Sequence, residues 1–189
     1  MFSRWQILQT FKNEMFTWLD EYRMYSNKAI IFDIDETCIH IDQTRKWYRD
    51  DEIYDIYKYA LIHNFYIFFI TARPYIPRNQ QFTINQLKSF GFDSYNGLFL
   101  MPNFKVVNTQ AIAYFKTYVR NFISINFQMI IALNIGNSWH DVLNADEMFE
   151  CDCTTLKDFT IAFQKTSEAC LHLKLPNHKQ KNNNVIIKQ

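Results

Sequence analysis

Two acidic residues, Asp33 and Asp35, stand at the end of the apolar segment KAIIF and are the first candidates for chemistry in this sequence. Carboxylates this close repel each other unless a cation neutralises them or one of them is protonated. A hard divalent cation such as Mg²⁺ prefers oxygen ligands and would remove this repulsion. One Asp could then act as a nucleophile and the other as a general acid and base. An acidic turn on the protein surface is the alternative interpretation.

Two further apolar segments also end in residues that could bind ions. Thr71 and Arg73 close the segment FYIFFITAR, and a hydroxyl with a forked guanidinium suits a phosphate group. Asn137 and Asp141 follow the segment MIIALNIG, and an amide and a carboxylate four residues apart could complete a metal site. A turn before Pro74 is the plainer interpretation of the Thr–Arg pair.

A lysine would supply positive charge for a bound phosphate, and the chain offers three candidates before MIIALNIG. Lys116 lies in a predicted helix that leads directly into this segment, whereas Lys88 and Lys105 are its rivals. A solvated surface position is the ordinary interpretation of any one lysine.

Apolar runs and helical spacing alternate along the chain and predict the elements that must position these residues. Continuous apolar runs predict buried strands, at residues 28–33, 65–71, 97–101 and 129–135. Apolar residues at three- and four-residue steps predict helices, at residues 50–63, 83–90 (closed by Gly91) and 109–124. The alternation predicts an α/β fold, a Rossmann-like, three-layer α/β/α arrangement with a mostly parallel central sheet. Ligands of such sheets bind outside the carboxyl ends of the strands, where the polar residues lie.

The two ends of the chain are expected to differ from the central domain, residues 28–177. Residues 1–27 carry an apolar stripe that predicts an amphipathic helix packed on the core. A membrane-surface helix and a contact between two copies in a homodimer are the alternatives. We expect a helix at residues 154–167 and a fifth strand at residues 171–175. The polar composition of residues 178–189 predicts a mobile tail.

Composition and charge exclude several classes of protein. An aromatic content of 17% excludes a wholly disordered chain, and a net charge of +1 argues against bulk electrostatic binding of nucleic acid. The 189 residues fit one domain, and no run approaches the roughly 18 apolar residues of a membrane-spanning helix. The first residues show no signal peptide, which predicts an intracellular, cytoplasmic protein. Abundant Asn, Ile, Lys, Phe and Tyr are typical of an AT-rich genome, as in some large viruses or protists.

Taken in order, these segments resemble the four motifs of the haloacid-dehalogenase-like phosphatase superfamily. AIIFDIDET resembles the first motif, FFITAR the second, Phe115-Lys116-Thr117 the third and NIGNSWHD the fourth. The sequence is similar in particular to the acid phosphatase branch, which contains bacterial class C acid phosphatases and plant vegetative storage proteins. Further residues carry that similarity: Thr83, Leu87, Gly91, Phe92, Arg120 and the segment KLPN at 174–177.

The resemblance implies a Mg²⁺-dependent phosphomonoester hydrolase that works through an aspartyl-phosphate and acts on a small molecule, such as a nucleotide. It implies that Asp33 attacks phosphorus and that Asp35 protonates the leaving group and then activates water. Thr71 and Lys116 would hold the phosphoryl oxygens.

The resemblance also implies a ligand set for the metal ion. Mg²⁺ would be bound by Asp33, by the backbone carbonyl of Asp35, and by the segment that contains Asn137 and Asp141. The residues expected to contact the substrate are Thr37 and Arg73.

Several features leave alternatives open. Asn137 stands where the family has Asp, which predicts weaker Mg²⁺ binding and favours, as an alternative, a catalytically weak, storage-like protein. Arg73 could pair with an acid rather than contact phosphate.

The short interval between the first two motifs leaves no room for a large cap domain, so an open site could also admit a phosphoprotein or a nucleic-acid end. His40 fits a rival group, the polymerase-tail phosphatases, but that group expects an Asp–Asp pair after the fourth strand, and this sequence lacks the pair.

An aromatic cluster between the first two motifs could line the entrance to the site and stack on a base. Its members are Trp47, Tyr48, Tyr54 and Tyr57. Packing within the core is the alternative interpretation. The stretch at residues 145–172 is longer than the family requires, and the sequence assigns it no role.

Overall fold

The computed structural model describes residues 12, 15–103, 108–145 and 171–174, the last four as backbone alone. Its strands are β1 (Lys28–Phe32), β2 (Ile39–Ile41), β3 (Trp47–Arg49), β4 (Tyr66–Pro74), β5 (Gly97–Met101), β6 (Ile130–Gly136) and β7 (Leu171–Lys174). Its helices are α1 (Asp51–Ile62), α2 (Pro77–Ser89), α3 (Thr109–Asn126) and α4 (Trp139–Val142). None of the helices in this part of the chain is long and apolar enough to cross a lipid bilayer.

Five strands form one parallel sheet in the order β5-β4-β1-β6-β7. β1 lies at its centre and pairs with β4 on one side and with β6 on the other. The chain builds outward from β1 through β4 to β5, and then returns to add β6 on the opposite side of β1. The strand order therefore reverses between β1 and β6, which is where open α/β sheets bind ligands. The predicted α/β fold with its mostly parallel sheet is confirmed.

The side chains of β1 alternate between two apolar cores, one on each face of the sheet. Ile30 and Phe32 pack in the core that contains the buried residues of α1. Ala29 and Ile31 pack in the other core, which contains buried residues of α3. A strand that is covered on both faces carries a continuous apolar run, which is why the sequence predicted it.

The structure adds a β-hairpin that the sequence did not predict. β2 and β3 pair antiparallel and lie directly after the Asp33–Asp35 segment. Each strand has only three residues, which is too short for an alternating pattern to be recognised. The hairpin and α1 fill the interval between β1 and β4.

Two elements extend at least three residues beyond their predicted bounds. α2 begins at Pro77 rather than at Thr83, because a proline is tolerated in the first helical turn, where its missing N–H is not needed. The residues between these two positions are polar or partly exposed and show no apolar period. β4 likewise continues to Pro74, beyond the predicted end at Thr71.

The N-terminal part of the chain is described only in part. Residues 15–21 are helical, and Met15, Leu19 and Tyr22 are buried in the same core as α1. Residues 1–11, the predicted helix at 154–167 and the predicted tail at 178–189 lie outside the described residues.

α2 ends in a Schellman turn at Gly91, the residue expected to close this helix. Gly91 has a φ of 86°, in the left-handed region that favours glycine. Gly91 N donates to Lys88 O at 3.1 Å, and Phe92 N donates to Leu87 O at 2.9 Å. A Cβ at Gly91 would lie 2.9 Å from the hydroxyl oxygen of Tyr54.

We predict that Gly91→Ala lowers the free energy of unfolding by about 1–2 kcal/mol, because alanine is strained in the left-handed region. Urea denaturation followed by circular dichroism measures this change. Lys88→Ala, at an exposed position near the end of the same helix, is the control and is expected to have little effect. Equal stability of Gly91→Ala and the wild type would contradict this account of the helix end.

Candidate active site

The carboxyl end of β1 places Asp33 in the interior, where the sheet reverses its strand order. Asp33 N donates to Ile135 O at 2.9 Å, so the residue continues the pairing of β1 with β6. Thr37 Oγ1 donates to Asp33 Oδ2 at 3.1 Å, and Lys116 Nζ donates to Asp33 Oδ1 at 2.6 Å. Both carboxylate oxygens are therefore held in place by protein donors.

Lys116 reaches the site from the middle of α3 and is almost completely buried. Its ammonium group donates to Asp33 and, in a short contact, to Asp141 Oδ1. It therefore joins the residue that follows β1 to the segment that follows β6. Of its two rivals in the sequence, Lys88 is exposed on α2 and Lys105 lies outside the described residues.

Asp141 belongs to the short helix α4, which follows β6 after two residues. Asp141 Oδ2 accepts a hydrogen bond from Ser138 N at 2.8 Å, and Asp141 N donates to Ser138 O at 3.0 Å. Gly136, the last residue of β6, leaves the space that this side chain fills, since a Cβ at Gly136 would overlap Asp141 Cβ. The glycine is therefore a steric requirement of the site.

A second ion pair lies close to the first and joins Asp35 to Arg73. Arg73 Nε and Nη2 donate to the two carboxylate oxygens of Asp35, at 2.9 and 2.6 Å. The guanidinium also donates to Thr83 Oγ1 and Gln86 Oε1 of α2, at 3.1 and 2.7 Å. Thr71 Oγ1 donates to Asp35 Oδ2 at 3.4 Å. Arg73 therefore pairs with an acid, one of the two partners that the sequence left open.

Negative charge is in excess among these side chains. Three carboxylates, from Asp33, Asp35 and Asp141, face two cationic side chains, from Lys116 and Arg73. Burial raises the pKa of Asp33 to about 7, the carboxylates of Asp141 and Asp35 add to the rise, and Lys116 opposes it. A bound cation would neutralise this excess.

The contact between Lys116 and Asp141 favours the charged form of both groups. Burial lowers the pKa of Lys116, but the carboxylates of Asp141 and Asp33 raise it by more, so the net shift is upward. Burial raises the pKa of Asp141, but Lys116 and His140 lower it by more, so the net shift is downward. Both groups are therefore charged near neutral pH.

The oxygen atoms around Asp33 form a donor set that suits a hard divalent cation. Each carboxylate oxygen of Asp33 and Asp141 accepts one hydrogen bond from a described residue, which leaves further lone pairs for a cation. Asn137 lies in the loop between β6 and α4 and is half-buried. No cluster of three His, Cys, Asp or Glu side chains within the described residues is arranged to hold a metal. A ligand set at this place would therefore need oxygen donors other than these carboxylates.

The sequence motifs do not assign a role to two partners of Arg73. Gln86 lies outside these motifs, and Thr83 only contributes to the family resemblance. Both are buried on α2 and lie three positions apart, which places them on one face of the helix. That spacing of two polar residues on a buried face is the signal that could have identified them.

The aromatic residues between β1 and β4 divide into two groups. Tyr57 is buried and packs edge-on against Phe92 with ring centres 5.0 Å apart, and Tyr54 stacks on Tyr57 at 5.7 Å. Tyr57 therefore packs within the core, and Tyr54 packs against it. Trp47 and Tyr48 lie on the hairpin and are partly exposed.

Comparison with models of protein families shows the family to which this chain belongs. The model of the HAD superfamily, subfamily IIIB (acid phosphatase), matches residues 42–179, well over half of the chain. The chain belongs to this family. It is therefore a phosphatase, and the resemblance to acid phosphatases is confirmed. The matched span begins after the segment from Asp33 to Thr37, so the roles of that segment rest on its geometry.

A solved structure has the same fold as this phosphatase. The class C acid phosphatase from Bacillus anthracis is 18% identical and aligns with a TM-score of 0.57, over 93% of this chain and 76% of that chain. At this level of identity the similarity concerns the fold alone. No curated protein matches the sequence.

We predict that Asp33 makes the metal-free phosphatase less stable as the pH rises from 3.8 to about 7. Between the usual pKa and the raised pKa, the folded protein holds a proton that the unfolded chain has lost, so the free energy of unfolding falls with rising pH. Asp33→Asn removes this titration, and its stability relative to the wild type should increase across the same range. Urea denaturation in the presence of a chelator, at several pH values, measures the difference.

Asp93→Asn is the control for this pH series, because it removes an exposed carboxylate in the loop between α2 and β5. If the stability profiles of Asp33→Asn and the wild type run parallel between these pH values, the raised pKa of Asp33 is wrong.

Proposed function

We propose that this phosphatase is a Mg²⁺-dependent phosphomonoesterase that forms an aspartyl-phosphate on Asp33 and acts on small phosphorylated molecules such as nucleotides. The observation that carries the proposal is the buried contact in which Lys116 joins Asp33 to Asp141, with Asp35 nearby. Phosphoryl transfer depends mainly on positioning and on neutralisation of charge. These side chains are suited to both tasks.

Asp33 is suited to attack phosphorus because Thr37 and Lys116 fix its orientation. In the first step, a carboxylate oxygen of Asp33 bonds to phosphorus while the bond between phosphorus and the ester oxygen breaks. Lys116 and Thr71 would donate to the other phosphoryl oxygens. The ammonium group of Lys116 lowers the pKa of Asp33 and so favours the ionised form that can attack.

Asp35 is suited to move protons because its side chain is 45% exposed, compared with 8% for Asp33. In the first step it would give a proton to the departing ester oxygen. In the second step it would take a proton from the attacking water, while the bond between Asp33 and phosphorus breaks and inorganic phosphate leaves. The bidentate contact with Arg73 would orient the ionised carboxylate that takes the proton from water in the second step.

The donor set described above would hold the metal ion. Bound Mg²⁺ supplies positive charge that stabilises the phosphoryl group in the transition state. Asp33, Asp141, Asn137 and the backbone carbonyl of Asp35 would bind it, and the excess of negative charge supports a cation at this place.

A larger substrate is the second candidate, and the interval between β1 and β4 favours it. This interval contains a hairpin and one helix rather than a cap domain, and Trp47 and Tyr48 are partly exposed on the hairpin. A phosphopeptide or a phosphorylated oligonucleotide end could therefore approach the site. Relative kcat/KM values for a nucleoside monophosphate, a phosphopeptide and a 5′-phosphorylated oligonucleotide separate these possibilities.

We predict that Asp33→Asn lowers kcat on a generic aryl phosphate by a factor on the order of 10⁴ or more, because the nucleophile is lost. The assay measures phosphate release with Mg²⁺ and with a chelator, and circular dichroism confirms that the variant is folded. Asp93→Asn is the matched control and should keep wild-type activity. A folded Asp33→Asn variant that is as active as the wild type would overturn the proposed mechanism, and activity unchanged by the chelator would overturn the Mg²⁺ requirement.

We predict that Asn137→Asp tightens Mg²⁺ binding by at least about tenfold, since one more unit charge close to a cation contributes a few kcal/mol even at an effective dielectric constant of 20. Isothermal titration calorimetry measures the dissociation constant directly. Asn126→Asp, which adds the same charge at an exposed position at the end of α3, is the control. An unchanged dissociation constant for Asn137→Asp would show that Asn137 is not a ligand. A wild type that binds Mg²⁺ without turnover would favour the storage-like alternative.

A further inference from the structure

Arg120 lies four residues after Lys116 on α3, so that the two side chains project from the same face of the helix. Both side chains are buried. Arg120 Nη1 donates to His140 O at 3.2 Å and to Asp141 O at 3.0 Å. Its Nη2 donates to Leu143 O in a short contact. The guanidinium thus binds three backbone carbonyls of the segment that carries Asp141.

A neighbouring hydroxyl makes a second connection between α3 and this segment. Thr117 Oγ1 accepts a hydrogen bond from Arg120 Nη2 at 3.3 Å and another from Ala145 N at 2.8 Å. Residues 140–145 are therefore held along their backbone by two adjacent side chains of α3.

The segment needs external support because α4 has only four residues. So short a helix is not stable by itself, and its last carbonyls have no partners within the helix. The guanidinium supplies donors to these carbonyls. Its rigid fork can reach several acceptors at once, which the single ammonium group of a lysine cannot do in the same geometry.

We propose that Arg120 is a positioning residue that fixes the α4 segment, so that the Asp141 carboxylate meets Lys116 and faces the metal site. α3 then holds Asp141 at two points, its carboxylate through Lys116 and its backbone carbonyl through Arg120. The part of this inference that concerns Mg²⁺ rests on the proposed function, whereas the part that concerns the α4 segment does not.

The test compares Arg120→Lys with the wild type in two measurements. Calorimetry should show Mg²⁺ affinity reduced by about 10- to 100-fold, the usual effect of removing a residue that orients a metal ligand. Hydrogen exchange measured by mass spectrometry in the absence of metal should show faster exchange in peptides that cover residues 138–145. The amides of Asp141, Leu143 and Ala145 report on this segment, since each is hydrogen-bonded in the structure.

Arg49→Lys is the matched control for a purely structural arginine. Arg49 Nη1 donates to the backbone carbonyl of Phe90, and its guanidinium lies 3.7 Å from the ring centre of Tyr54, which is part of the core packing. Its replacement should lower global stability while leaving Mg²⁺ affinity and the exchange of residues 138–145 at wild-type values. Thr117→Val is a milder second variant, for use if Arg120→Lys does not fold, and it should also accelerate exchange in this segment.

The outcomes separate the inference from the proposed function. Arg120→Lys with wild-type Mg²⁺ affinity and wild-type exchange at residues 138–145 would overturn the positioning role. A wild-type protein that binds no Mg²⁺ would overturn the proposed metal site, and hydrogen exchange alone would then decide the role of Arg120. The positioning role of Arg120 would be supported if Arg120→Lys shows reduced Mg²⁺ affinity and faster exchange at residues 138–145. Arg49→Lys, with a similar free energy of unfolding, should show neither change.

Discussion

One buried ammonium group, that of Lys116, is the interaction on which the rest of the site depends. It stands between the carboxylates of Asp33 and Asp141, and these come from two strand ends that meet only because the sheet reverses its order between β1 and β6. Removing one partner of a buried ion pair typically costs about 3–5 kcal/mol. The ion pairs of Lys116 therefore help to fix the position of α3 on the sheet, together with the apolar contacts of this helix in the core.

The two carboxylates of the first motif lie two residues apart, yet their surroundings differ. Asp33 is buried against Lys116, whereas Asp35 is partly exposed and paired with Arg73. The Arg73 side chain is in turn fixed by Thr83 of α2 and by Gln86 of the same helix. The cation for Asp33 thus comes from α3, whereas the cation for Asp35 comes from β4 and is held in place by α2. Catalytic acids and nucleophiles are commonly separated by environment in this manner, which fits the proposed division of roles.

Much of the fold could be predicted because its determinants are local. β1 is covered on both faces and therefore carries a continuous apolar run, and Gly91 adopts the left-handed conformation that ends a helix. Lys116 could be chosen among three lysines because its helix leads into the fourth predicted strand. The choice of Asp35 as the acid that pairs with Arg73 and the role of Arg120 could not be predicted, since both depend on contacts between residues 20 to 38 positions apart. The hairpin was missed because strands of three residues leave no pattern.

The most direct measurement is the detection of a phosphoryl group on Asp33 during turnover. The phosphatase is mixed with an aryl phosphate and Mg²⁺ and quenched with acid within a single turnover, and its peptides are analysed by mass spectrometry. We expect one phosphoryl group on the peptide that contains Asp33, and none on that peptide from Asp33→Asn. Turnover that leaves this peptide unmodified while another residue carries the phosphoryl group would contradict the central role of Asp33.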